Sequence, residues 1–163
     1  MTVKADHIKE RRQSRQQAYE AFLEQLTSLR RRVLLDEYED STPAEEEQLR
    51  EEIDARWVGL TLEGPEAVNI VGQLAYDAAY DVIAQMGVSR ELARRFLRDH
   101  DDVDAEEAAR EEYEESLSAL QALARELVEG INAFAKIASF TLDLDGTERL
   151  RRFRWRRKDA RAS

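Results

Sequence analysis

The sequence predicts an all-α protein, an antiparallel bundle of four main helices plus one short helix, followed by a basic C-terminal tail. Three observations carry this expectation. Apolar residues recur at three- and four-residue spacing through most of the chain, which sets them on single helical stripes. Only two prolines and six glycines interrupt the 163 residues. Helix-start signatures stand where the stripes begin. Residues 1–148 are expected to form the bundle and residues 149–163 the tail.

The first helix is expected from Asp6, a candidate N-cap, to Tyr38. Tyr19, Phe22, Leu26, Leu29 and Val33 form its stripe, and Ile8, Arg12 and Arg15 continue the register into a mostly polar amino end. Thr42-Pro43-Ala44-Glu45 then reads as a helix start, with Thr42 as cap, Pro43 at the first helical position and Glu45 reaching back to the cap. The second helix carries Leu49, Ile53 and Trp57 and is expected to stop near Gly59, leaving LTLEG as an extended connector. Pro65 opens the third helix, because Gly64 before it is disfavoured in the α region.

The third stripe holds Val68, Val71, Ala75, Ala78 and Val82, widened by Ile70, Leu74 and Ile83, with Gly87 as its stop. Ser89 is expected to cap the short helix through Leu92, Phe96 and Leu97. After the acidic link DHDDVD, Asp104 and Glu107 resemble a capping box for the last helix. Tyr113, Leu117, Leu120, Ala124, Leu127, Ile131, Phe134 and Ala138 alternate strictly by four and three, the heptad signature. Leu123, Val128 and Ala135 broaden that face beyond a two-stranded seam and favour a bundle. Past Ser139 two readings stand. Phe140, Leu142 and Leu144 before Asp145-Gly146 suit a hairpin, whereas Thr147 can cap a terminal helix; a loop followed by a helical tail is favoured.

The formal charge of −10 is divided unevenly. Residues 1–35 carry a net +4, residues 36–148 a net −21, and residues 149–163 a net +7. Such asymmetry points to contact between the ends and something anionic, which includes the protein's own acidic middle. Cysteine is absent, which excludes a disulfide framework and a thiolate metal site. The first thirty residues hold no apolar h-region, and no run approaches the ~18 apolar residues of a membrane span. A soluble cytoplasmic protein without a transmembrane segment is the expectation.

Several chemistries can be weighed against the residues they need. LDLDGT, residues 142–147, is similar to the first motif of haloacid-dehalogenase-type phosphotransferases, where one Asp attacks phosphate and the second is acid/base. That motif follows the first strand of a Rossmann-like sheet, whereas here the upstream chain reads as helical and sixteen residues follow Thr147. A turn is the expectation. Asp99, Asp101, Asp102 and Asp104 suggest a calcium loop, but positions 6 and 12 counted from Asp99 are Asp104 and Arg110 where an EF-hand needs Gly and Glu. A ferritin-like di-iron centre needs paired Glu-x-x-His motifs, and His7 and His100 follow Lys4 and Leu97 instead. Asp77 and Asp81 beside Tyr76 and Tyr80 share a helix face, a pattern expected at a solvated surface. No enzyme, metal or cofactor is expected.

The tail is the best candidate site. Arg149, Arg151, Arg152, Arg154, Arg156, Arg157 and Lys158 supply cations, and Phe153 and Trp155 lie between them. Arginine binds phosphate bidentately, and an aromatic ring can stack on a base or enter a lipid interface. The expected function is a non-enzymatic helical interaction or regulatory protein whose basic tail engages an anionic partner or the acidic body. Two alternatives stand beside it: a nucleic-acid-binding protein using residues 149–163, and an acidic protein occupying the basic groove of a partner. A protein partner, a homodimer and peripheral membrane contact are all compatible with these features.

RRQSRQQAYEAFLEQL and LTLEGPEAV, in that order and with helices around them, resemble a loose group of small actinobacterial proteins. The shared pattern is an arginine-rich approach to Tyr-x-x-Phe-Leu, then an LEGP turn. The resemblance implies an all-helical fold and carries no activity.

Overall fold

In the computed structural model, the backbone is described for residues 3–97 and 103–159, and side chains for residues 6, 7, 9–97 and 104–143. Four helices follow one another: α1 Val3–Leu34, α2 Pro43–Glu63, α3 Glu66–Phe96 and α4 Val103–Asp159. The described residues contain no strand. Each helix packs on its sequence neighbours, and α1 also packs on α4, closing an up-down-up-down bundle.

The stripe of α1 is buried as its spacing predicts, from Tyr19 through Phe22, Leu26 and Leu29 to Val33. Opposite it, Phe134 of α4 meets Tyr19 and Phe22 edge-on, with ring centroids 5.9 and 5.2 Å apart. Phe22 contacts Trp57 of α2 at 5.8 Å, and Trp57 lies 5.3 Å from Tyr76 of α3. One aromatic chain therefore crosses all four helices. Gly72 makes room for it: a Cβ there would sit 2.8 Å from the Trp57 ring. A second close approach brings α3 and α4 together, since a Cβ on Gly130 would lie 3.0 Å from the Ala75 Cα.

Local chemistry sets the helix ends. At α2, Thr42 accepts from the Glu45 amide and Glu45 accepts from the Thr42 amide, the predicted capping box, with Pro43 at the first turn. α1 ends earlier than expected, at Leu34. Asp36 adopts φ 54° there, while the Glu37 amide donates to Arg32 O at 3.0 Å and the Asp36 amide to Val33 O at 3.3 Å. This is a Schellman closure with aspartate in the place usually held by glycine. Tyr38 is buried in the turn that follows.

LTLE is the last turn of α2 rather than an extended connector, so Gly59 is not a stop. The extra turn is held by neighbours: Arg15 Nε of α1 donates to Glu63 O at 2.9 Å, and Asn69 Nδ2 of α3 reaches Thr61 O and Gly64 O at 3.4 and 3.3 Å. These groups satisfy carbonyls that a helix end leaves open. Gly64 is extended, as its place before proline requires, and LEGP forms the α2–α3 turn.

Other boundaries differ as well. The predicted short helix is the end of α3, which runs unbroken through Gly87 and Ser89. Ser89 is buried within it, continuing the series Val82, Met86, Ser89, Ala93. Ile70 and Leu74 do not widen the buried stripe; they are 59% and 61% exposed, pointing about 160° and 120° away from Val68 and its core neighbours at 100° per residue. Asp6 and Asp104 lie inside the first turns of α1 and α4, not at their caps. α4 passes through residues 140–147 without a hairpin or loop, since one helical glycine costs only about 1 kcal/mol. The aspartates Asp99, Asp101 and Asp102 of the calcium reading lie outside the described residues.

Candidate functional site

The antiparallel register fixes where the basic ends fall. Gly130 meets Ala75, so nine residues further along α4 and nine back on α3, Ser139 stands level with Glu66, the first residue of α3. The remaining 20 residues of α4 span about 30 Å at 1.5 Å each. On the other side Tyr19 meets Phe134. Carried outward, that register sets residues 3–14 of α1 level with 139–150 of α4, and α4 continues to Asp159. Lys9, Arg11, Arg12 and Arg15 thus approach the same end of the molecule as the +7 segment, although the two zones are about 140 residues apart in sequence. The side chains of Arg149, Arg151, Arg152, Phe153, Arg154, Trp155, Arg156, Arg157 and Lys158 lie outside the described residues; their backbone belongs to α4.

Among the described residues, three clusters of buried or partly buried polar side chains stand at helix contacts. Glu46 of α2 pairs with Arg90 of α3, both largely buried. Ser41 lies beside them, its hydroxyl donating to Tyr38 O at 2.6 Å and standing 3.5 Å from Arg90 Nη1. Gly87 accommodates the carboxylate, because a Cβ there would be 3.0 Å from Glu46 Oε2. In the second cluster the Ser89 and Ser116 hydroxyls join α3 to α4 at 2.8 Å, and Gln85 Nε2 donates to Ser116 Oγ at 2.9 Å.

The third cluster tests the tyrosine and aspartate pattern of α3. Tyr76 and Tyr80 do not work with Asp77 and Asp81. Their hydroxyls both donate to Asp54 Oδ1 of α2, at 2.8 and 2.5 Å. Asp77 instead accepts from Gln73 at 2.7 Å, and Asp81 is exposed. Burial, then the neighbouring hydroxyl and carboxylate, raise the Tyr76 pKa well above 10.0. The bond to Asp54 is the leading cause of the upward shift at Tyr80. A carboxylate bound by two phenols holds both in the protonated form, which opposes rather than promotes proton transfer from either. The cluster is a tie between α2 and α3. Among the described residues, no group of three His, Asp or Glu side chains is placed to hold a metal ion.

One concave surface stands out. A groove of about 970 Å³ opens between the end of α1 and the middle of α4. Its floor is apolar, and Arg30, Asp36, Arg125 and Glu129 stand around it. Sequence reasoning missed it; Val128, which broadens the apolar face of α4, is its one signal in the sequence. No protein-family model matches the chain, and neither does any curated protein or solved structure.

Proposed function

We propose that this is a non-enzymatic helical interaction protein, regulatory or scaffolding in role, that engages an anionic partner through its basic end. The supporting observation is the antiparallel register of α1 and α4, which gathers the amino-terminal arginines and the +7 segment at one end of the molecule. Asp6 and Glu10 of α1 and Asp143, Asp145 and Glu148 of α4 share that end, and the basic excess that remains, carried by residues 149–163, supplies a field suited to an external anion. The same register runs α4 past the α2–α3 turn, directing residues 151–159 away from the acidic α2 and α3. Binding to an external anion is therefore the stronger reading than folding back on the body. The interior polar groups support a non-enzymatic role, because each cluster is consumed in joining helices.

A nucleic-acid partner is the specific form that the convergence favours. Two basic zones along one helical projection match a phosphate lattice that repeats over tens of ångströms, and they impose little sequence preference. No helix of the described residues is long and apolar enough to cross a membrane; a soluble, cytoplasmic protein remains part of the proposal. The test is retention on DNA and RNA across a salt series, for the full chain and for one lacking residues 149–163. The full chain should bind with a steep salt slope and the truncated chain should lose retention at low salt. A parallel pull-down and anionic vesicles distinguish protein and lipid partners. If truncation leaves every contact unchanged, the proposal is wrong.

A further inference from the structure

We infer that the outer seam between α3 and α4, on the side away from the core, is a docking site for a basic amphipathic helix of a partner protein. Ile70 and Leu74 of α3 are 59% and 61% exposed there, and Phe140 of α4 is 61% exposed. Ala133 is exposed as well and Ile137 is half-buried. Helical geometry sets these residues on one surface. Gln85 of α3 reaches Ser116 of α4; Leu74 lies within about 20° of Gln85 around α3, and Ile70 about 40° further from the core. On α4, Gly130 meets Ala75. Leu127 of the core lies about 60° to one side of Gly130, and Ile137, Ala133 and Phe140 lie about 20°, 60° and 80° to the other. The Gly130 contact also sets Leu74 level with Ile131 and Ile70 level with Ala135, so apolar positions of both helices flank one shallow channel. Single exposed apolar residues are ordinary, whereas a contiguous group is a contact surface.

Charge identifies the occupant. Asp77 and Asp81 of α3 and Glu126 and Glu129 of α4 are exposed, and the same register sets Glu129 and Glu126 level with Tyr76 and Ala79. Four carboxylates, two from each helix, therefore border the seam within about 8 Å of its length, next to the apolar stretch. Among the described residues, α3 holds no Lys or Arg before Arg90. The α4 cations Arg125 and Lys136 lie about 140° and 120° from Gly130, further round than either glutamate. An apolar channel bordered by carboxylates takes a helix with one apolar face and cations beside it. A second copy would bring the same carboxylates against these, and a nucleic acid or an anionic lipid surface would meet them with phosphates. From the level of Phe140 to Asp81 the seam is about 24 Å long, the length of a helix of about 16 residues.

Residues 149–163 take no part in this site, so its failure and that of the proposed function are distinguishable. The experiment is fluorescence anisotropy of the full chain with a labelled amphipathic peptide of about 18 Leu and Lys residues, long enough to cover the seam. The peptide should bind at micromolar concentration in physiological salt, and a peptide with Gln in place of every Leu should bind at least about tenfold more weakly. Ile70→Gln combined with Leu74→Gln should weaken binding of the Leu/Lys peptide about tenfold, and Asp77→Asn with Asp81→Asn at least about threefold. All four side chains are exposed, so helical circular dichroism should not change. Glu47→Gln with Glu51→Gln, exposed on α2, should alter affinity by less than about twofold. Absence of binding up to about 100 μM overturns the inference. So does a Gln peptide that binds as tightly, or an equal loss in the α2 variant, because the attraction would then be generic. A full-chain dimer that the Ile70 and Leu74 substitutions dissociate also overturns it, since the occupant would be a second copy.

Discussion

Arg90 on α3 and Glu46 in the first turn of α2 form an ion pair inside the bundle, each side chain only 8% exposed. The charges have left water, and Arg90 Nε is buried without a hydrogen-bond partner in the described structure. Desolvation therefore offsets much of their attraction. What the pair does provide is registry. It forms only when the start of α2 stands level with the end of α3, and Gly87 leaves space for the carboxylate there.

Removing one partner should be far worse than removing both. Arg90→Met or Glu46→Leu alone strands a buried charge and should cost about 3–5 kcal/mol. The double variant should return to within about 1 kcal/mol of the starting protein, since two apolar side chains need no compensation. Urea unfolding of the four-member cycle reads both numbers. Additive single losses would show that the two side chains are not coupled.

Two glycines in helices should respond to alanine with opposite signs. Gly130 faces α3, where a new Cβ would lie 3.0 Å from the Ala75 Cα and 3.2 Å from its Cβ. Backbone cannot yield without separating the helices, so overpacking of about 1–3 kcal/mol outweighs a propensity gain of about 1 kcal/mol. Gly59 has nothing within 4 Å of the corresponding point. Gly59→Ala should therefore stabilise by about 0.5–1 kcal/mol. Thermal midpoints of the two variants should move in opposite directions, and a rise for Gly130→Ala would contradict the proposed close approach.

These glycines also show where sequence reading stopped. The α1 stripe and the Thr42–Glu45 box were legible because both rest on spacing within one helix. Gly87 and Ser89 were not, since a residue that can end a helix can also admit a neighbour or bond to one; the helix runs on through Gly59 to an end where Arg15 and Asn69 hold the last carbonyls. Only the facing element decides: Glu46 for Gly87, Ser116 for Ser89. Ile70 and Leu74 failed for a related reason, as apolar residues beside a stripe need not lie under a neighbouring helix. The basic residues of the candidate site were legible as a composition. Their approach to the amino-terminal arginines was not, because it depends on the antiparallel pairing of Tyr19 with Phe134.

Asp36 occupies a conformation that favours glycine. Its φ of 54° brings Cβ toward a backbone carbonyl, a cost of roughly 1–2 kcal/mol for an ordinary L-residue, eased somewhat for aspartate. Asp36→Gly should keep the Schellman bonds and stabilise by about 1 kcal/mol, whereas Asp36→Val should destabilise by more than that. Urea midpoints at equal slope provide the measurement. A destabilised glycine variant would mean that the aspartate side chain contributes more than the strain it carries.

Alkaline pH should loosen the bundle through its tyrosines. Tyr76, Tyr80, Tyr113 and Tyr38 all have pKa values raised above 10.0. Burial is the leading cause for Tyr76, Tyr113 and Tyr38, and the bond to Asp54 leads for Tyr80. A phenol that stays protonated longer when folded binds more protons in the native state than in the unfolded one. Stability from these groups is therefore complete below pH 10 and is lost as pH rises from there through the folded pKa values. Tyrosinate absorbance should rise late, together with loss of helical circular dichroism. Asp54→Asn removes the carboxylate shared by Tyr76 and Tyr80 but leaves Glu39, which accepts from the Tyr113 hydroxyl at 2.8 Å. Its absorbance curve should begin at lower pH for part of the amplitude, with the Tyr113 portion unmoved. An unchanged curve in Asp54→Asn would show that the carboxylate does not hold the two phenols protonated, and the tie between α2 and α3 would lose its electrostatic basis.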